Sequence, residues 1–154
     1  MRTLQDLLDV IGDDKREEII SKEMEVILKE PVLKYEDIEF LISIKRTEEA
    51  EQYILNRADR INGDDYPVLL SLVETFESEQ RWLPTSLIYR ELLVSILNRV
   101  NRNAYRHGVR YLKKLDNLST FIKDWRDFEN HETFKQNILQ RHGRKRSFWA
   151  KYNT

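Results

Sequence analysis

Residues 84–118 read PTSLIYRELLVSILNRVNRNAYRHGVRYLKKLDNL, and the spacing within them decides the fold. Leu92, Leu93, Ile96 and Leu97 recur at three- and four-residue steps, and Tyr111, Leu112 and Leu115 follow the same rule. That period places apolar side chains on one stripe of a helix, whereas a strand would alternate every second residue. Pro84 suits a first helical turn, so the stretch predicts one long helix from Pro84 and a second from about Asn103 to Leu118.

The same period extends outward in both directions. Thr3 is placed to cap a short helix carrying Leu4, Leu7, Leu8 and Ile11, with Gly12 as its stop. Asp14 with Glu17 forms a capping-box pattern before Ile19, Ile20, Glu23 and Ile27, and Pro31 ends that run. Lys34 to Ile44 predicts a helix burying Ile38, Leu41 and Ile42. Thr47 opens another, carrying Ala50, Tyr53, Ile54, Ala58 and Ile61 and closed by Asn62-Gly63. Asp65 and Pro67 begin the next, with Leu69, Leu70, Val73 and Phe76 inward. Toward the C-terminus a helix is predicted over Phe121 to Phe128, and Asn130 caps the last one. With four glycines and three prolines in 154 residues and no competing strand pattern, the predicted class is all-α.

One four-letter pattern recurs. Ile54 to Arg57 and Ile96 to Arg99 both read ILNR, and Ile138 to Arg141 reads ILQR, each 42 residues after the last. Arg60, Arg102 and Arg144 repeat three residues beyond each motif, and Leu69, Leu70 and Val73 align with Tyr111, Leu112 and Leu115. A period near 42 suits a two-helix unit of a stacked array; chance is the alternative, because these are ordinary helix residues. The expectation is a single helical-repeat domain of stacked antiparallel hairpins, an α-solenoid. Its parts are divergent helices over 1–46, hairpin repeats over 47–83 and 84–128, and a C-terminal helix over 129–154.

The segment from Leu87 to Trp149 resembles the C-terminal region of a bacterial family of uncharacterised helical-repeat proteins. It is similar also to C-terminal parts of bacterial SWIM zinc-finger proteins. The residues carrying the resemblance are Tyr89-Arg90, Leu92-Leu93, Ala104-Tyr105 with His107, Arg110-Tyr111-Leu112, Trp125, His131, His142, Arg144-Lys145 and Phe148-Trp149. It covers about 60 residues, four helices' worth, and implies a tetratricopeptide/HEAT-like α-solenoid of unestablished role. The chain has no cysteine, so nothing of a SWIM zinc site carries over.

A chain of 154 residues buries roughly 70% of its unfolded surface and needs no staple. Zero cysteines exclude a disulfide framework and a thiolate nucleophile, and no apolar run approaches a signal or membrane-spanning length. The expected setting is cytoplasmic, without a membrane partner. The net charge of −1 hides an asymmetry. Residues 1–98 hold 12 Lys/Arg against 22 Asp/Glu, net −10, and residues 99–154 hold 14 against 5, net +9. Such a dipole suits an acidic protein partner, nucleic acid, or homo-oligomerisation through acidic and basic halves.

Catalytic patterns are sparse. His131 and His142 stand 11 apart, nearly on one helical face, but no HExxH or Glu-x-x-His accompanies them, so hydrogen-bonding helix contacts are expected rather than metal ligands. Asp13-Asp14 and Asp64-Asp65 border Gly12 and Gly63, where acidic helix caps belong. Ser71, Ser86, Ser95 and Ser147 lack a GxSxG elbow, and no phosphate-cradling glycine loop is present. The expectation is a non-enzymatic protein without cofactor or metal.

The basic residues are the strongest candidates. Arg99, Arg102, Arg106 and Arg110 step by three and four, with Lys113 and Lys114 beyond them, and Arg141, Arg144, Lys145 and Arg146 form a second patch. Guanidinium groups bind phosphates and carboxylates in bidentate fashion; the bland alternative is a solvated helix face. Trp82, Trp125, Phe148 and Trp149 fall at helix boundaries, where they seal junctions, or where Phe148-Trp149 anchors a partner. The expectation is a macromolecular interaction module that binds a protein, and the alternative is a nucleic-acid-binding module using both patches.

Overall fold

Ile20 and Ile27, two helical turns apart, are buried on one side of the first helix of the computed structural model, which describes residues 13–99 and 101–154. The helix expected over Thr3 to Ile11 and the capping role of Asp14 lie outside what is described. Among the described residues the fold is all-helical, with no strand. The chain divides into two compact units, Met1–Arg60 and Ile61–Thr154, so the division falls inside the stretch 47–83 read as one hairpin.

The first unit contains α1 (Asp13–Lys29), α2 (Tyr35–Ser43) and α3 (Thr47–Leu55). Ile38 and Leu41 of α2 are buried, as are Ala50, Tyr53, Ile54 and Leu55 of α3, and these two short helices pack together. The turn between them is a Schellman closure: Lys45 N donates to Ile42 O (3.0 Å) and Arg46 N to Leu41 O (2.8 Å). Lys45 takes the left-handed conformation, φ 62°, where glycine is usual. α3 stops at Leu55 rather than continuing to Ile61; a separate 3-10 turn covers Ala58–Arg60.

Arg57 organises this unit. It is 5% exposed, its guanidinium lies 3.9 Å over the Tyr53 ring, and it donates to the carbonyls of Ile27 (3.2 Å), Leu28 (3.3 Å), Glu30 and Val32 (3.1 Å), with Tyr53 O at 3.0 Å. These include carbonyls that the end of α1 leaves without helical partners, and a cation there also complements the helix dipole. The Tyr53 hydroxyl accepts from Lys34 N (2.9 Å). One arginine and one tyrosine thus tie α3 to the α1–α2 connection.

The second unit contains α4 (Tyr66–Ser78), α5 (Trp82–Asn98), α6 (Tyr105–Leu118), α7 (His131–His142) and α8 (Arg146–Tyr152), with 3-10 turns at Arg102–Ala104 and Ser119–Phe121. α5 is its central element, packed against α4 and α6. Leu83, Leu87, Ile88, Leu92, Leu93 and Leu97 are buried, and so are Thr85 and Ser86, as expected of a helix covered on most sides. It begins at Trp82, two residues before Pro84, which fits within the first turn. α4 ends in a second Schellman closure with Gln80 at φ 59°, Arg81 N donating to Phe76 O (2.8 Å). α6 segregates its residues sharply: Val109, Leu112 and Leu115 are buried while Arg106, Arg110 and Lys113 are exposed.

Two glycines set close approaches. A Cβ on Gly63 would lie 2.1 Å from Glu91 O, so the start of the unit sits directly on α5. A Cβ on Gly108 would meet Phe148 at 3.1 Å and Ile96 at 3.2 Å, and this bare surface lets α8 pack on α6.

The helix expected over Phe121 to Phe128 is corrected. After the 3-10 turn the chain is irregular, Arg126 has φ 52°, and Asp124 Oδ1 accepts from Arg126 N (2.9 Å). An aspartate that bonds its own backbone two residues on competes successfully with helix formation. The single C-terminal helix over 129–154 is corrected as well: turn bonds from Lys145 N to His142 O (3.1 Å) and Arg146 N to Arg144 O (2.9 Å) divide it into α7 and α8. Asn130 does cap α7, its Oδ1 accepting from Thr133 N at 2.9 Å. Among the described residues no helix is long and apolar enough to cross a membrane.

Candidate basic cavity

The three recurring motifs each fall near the end of a helix, α3, α5 or α7, but these helices are 9, 17 and 12 residues long and the motif arginines diverge. Arg57 is buried among carbonyls, whereas Arg99 and Arg141 are exposed. Arg99 donates to Asp64 Oδ1 (2.5 Å), which also accepts from Ser95 Oγ (2.5 Å). The hydrogen bonds from Ser95 and Arg99 hold the Asp64 carboxyl below its ordinary range.

The arginine ladder read as one helical face is corrected. α5 ends at Asn98 and α6 begins at Tyr105, so Arg99 and Arg102 belong to the connection, and only Arg106 and Arg110 share a helix. The connection sends the arginines in different directions. Arg99 and Arg110 line one cavity, and Arg102 lines another. Lys114 is paired with Glu77 of α4. Arg106 is exposed on α6, and Lys113 is exposed beyond it.

The cavity at Arg102 brings the two sequence patches together. It measures about 480 Å³ and is lined by Arg102, Tyr105, Arg144, Lys145, Arg146 and Ser147. Arg102 and Arg144 are 42 residues apart, the repeat spacing, and reach the cavity from the α5–α6 connection and the α7–α8 turn. Among the described residues none of the four cationic side chains has an ion pair or hydrogen bond. Like charges gathered without a counter-charge repel one another, and an anion seated among them relieves that repulsion.

The aromatic residues beside the cavity belong to the core. Phe148 is fully buried, edge-to-face with Tyr105 (5.7 Å) and Trp149 (5.0 Å), so its role as an exposed anchor is corrected: it seals α8 against α6. Tyr105 is 3% exposed. Trp149 is half-buried and donates its indole N–H to His142 O at 2.9 Å. His142 itself is buried; burial, then the charges of Lys145 and Arg141, hold its pKa below the ordinary value.

Two further clusters are only partly signalled in the sequence, which marks His131 as a hydrogen-bonding helix contact and Trp125 as a junction residue but not their partners. Asp116 of α6 accepts from Lys135 Nζ (3.1 Å) and from the Tyr152 hydroxyl, and pairs with His131 Nε2 (2.6 Å), joining α6, α7 and α8. Burial raises its pKa, but the hydrogen bonds from Tyr152, His131 and Lys135 outweigh burial and leave it lowered. Arg90 of α5 is 6% exposed and lies between the rings of Trp125 (4.8 Å) and Phe134 (4.7 Å). Burial lowers its pKa to about 10 against the opposing charges of Glu129 and Glu91. No chain spacing connects Asp116 to Tyr152 or Arg90 to Trp125, because irregular segments intervene. Among the described residues no group of three or more His, Cys, Asp or Glu could hold a metal ion.

Comparison with known proteins finds one family, described as "Family of unknown function (DUF6880)", matching residues 2–151. It supports the resemblance to uncharacterised proteins and extends it over nearly the whole chain, without support for the SWIM likeness. No curated protein and no solved structure matches the chain.

Proposed function

The chain belongs to this family of unknown function, and we propose that it is a non-enzymatic interaction module that binds an acidic segment of a partner protein. One observation carries the reading: Arg102, Arg144, Lys145 and Arg146 line a single cavity and lack counter-charges among the described residues. Arginine forks suit carboxylates, and uncompensated positive charge accelerates encounter with an acidic partner. The packing of α5 against both α4 and α6 supports the finer reading of a tetratricopeptide/HEAT-like α-solenoid, whose helical hairpins present such surfaces.

Nucleic acid is the competing partner because phosphates also seek guanidinium groups. Binding of single strands relies on open aromatic faces for base stacking, and Tyr105 and Phe148 are buried here. The test is titration of the full chain with a Glu/Asp-rich peptide and with random single-stranded RNA across a salt series. The peptide is expected to bind, more weakly as salt rises, and Arg102→Glu with Arg144→Glu is expected to reduce its affinity at least about tenfold. RNA binding tighter than the peptide, or peptide binding indifferent to the charge reversals, would overturn the proposal.

A further inference from the structure

A different cavity of the same unit, about 300 Å³, has walls formed by Leu70, Leu92, Ile96 and Tyr111. Tyr66 joins this lining with 54% of its surface exposed. Its size sits at the lower end of small-molecule pockets, and its mostly apolar wall with a few polar groups is their usual make-up.

The polar groups of the lining differ in how they are balanced. Ser95 and Arg99 are both bound to Asp64, so the Arg99 charge already has its counter-charge. Arg110 has none among the described residues: Nη2 lies 3.0 Å from His107 Nδ1, and its guanidinium lies 5.6 Å from the Tyr111 ring centre. The guanidinium has only donors, so His107 Nδ1 accepts and the ring is neutral with its proton on Nε2. Burial and the charges of Arg110 and Arg106 hold the His107 pKa below its ordinary value, which agrees with that tautomer. The cavity therefore combines apolar walls with one unbalanced positive charge.

We propose that this cavity binds a small carboxylic acid with an apolar body, its carboxylate on Arg110 and its chain against Leu70, Ile96 and Tyr111. One unbalanced guanidinium matches a monoanion, and its planar fork matches a carboxylate. The apolar walls exclude a strongly hydrated body such as a sugar phosphate, whose polar groups would be left unpaired. The site shares no lining residue with the basic cavity, so this proposal stands or falls independently of the function proposed above.

The probes are hexanoate, 1-hexanol and inorganic phosphate, titrated into the full chain and followed by the backbone amide signals of Gly63, Ser95 and Arg110. Hexanoate is expected to shift these signals in a saturable way and to bind about tenfold more tightly than 1-hexanol, as a charge-assisted hydrogen bond implies. Arg110→Gln should remove that advantage and leave 1-hexanol binding unchanged. Leu70→Trp and Ala104→Leu fill the cavity from different elements, both at half-exposed positions, and each should abolish binding of both probes. Failure of hexanoate to bind at millimolar concentration, equal binding of acid and alcohol, insensitivity to Arg110→Gln or to both filling variants, or tighter binding of phosphate would overturn the proposal.

Discussion

Arg57 and Arg102 show two opposite uses of the same side chain. Arg57 in the first unit is buried and spends its donors on the carbonyls of Ile27, Leu28, Glu30, Val32 and Tyr53. Arg102 in the second unit is exposed and shares a cavity with Arg144, Lys145 and Arg146, its side chain without a hydrogen bond or ion pair among the described residues. A buried guanidinium surrounded by acceptors belongs to folding, since its removal strands those acceptors. Exposed cations collected without acceptors contribute little to stability and leave their charge available to a ligand. The local sequence does not separate the two: Arg57 and Arg99 end identical ILNR motifs, and only one of that pair is buried.

The largest effect is expected at the buried member. Arg57→Ala should lower unfolding stability by about 3 kcal/mol, read as the urea midpoint, because several carbonyls lose their donor at once. Arg57→Lys should recover only part, since an ammonium cannot span acceptors spread over Ile27 to Val32. At the exposed member the prediction inverts. Arg102→Glu with Arg144→Glu should leave stability within about 0.5 kcal/mol while weakening acidic-peptide binding at least about tenfold, or ~1.4 kcal/mol.

Asp116 lies between these extremes, half-buried and fully engaged. Asp116→Asn should cost about 1 kcal/mol by loosening the joint of α6, α7 and α8. Its folded pKa is lowered, so its contribution is present above the ordinary carboxylate pKa and is lost as pH falls through the folded value. The variant should therefore flatten the acid limb of a stability-versus-pH profile below about pH 4. The smallest effect is expected at the exposed Asp64–Arg99 pair: Asp64→Asn should give a slight loss of stability that disappears as salt is raised.

Much of the fold was legible because helical periodicity is local. The stripes of α2, α4, α5 and α6 could be read from spacing alone, with Ile38, Leu41, Leu69, Val73, Leu92 and Leu93 buried as expected. The stops were less legible, because Lys45 and Gln80 occupy left-handed positions where the sequence offers no glycine. The irregular stretch after Phe121 retained a helix-like apolar pattern, although the Asp124 carboxylate diverts its backbone. For the candidate cavity, the sequence separates into two patches cations that the structure brings together. Periodicity assigns residues to a face of one helix, whereas the grouping depends on the turn at Arg102 meeting the turn at Arg144 to Arg146.

The most direct test measures urea stability and acidic-peptide affinity on the same preparations of Arg57→Ala and Arg102→Glu/Arg144→Glu. The expected result is a crossed pattern: Arg57→Ala loses stability yet binds normally while folded, and the double variant keeps its stability and loses binding. If charge reversal at the cavity unfolds the chain as readily as Arg57→Ala, or leaves peptide affinity intact, the division between a folding arginine and a binding arginine is contradicted.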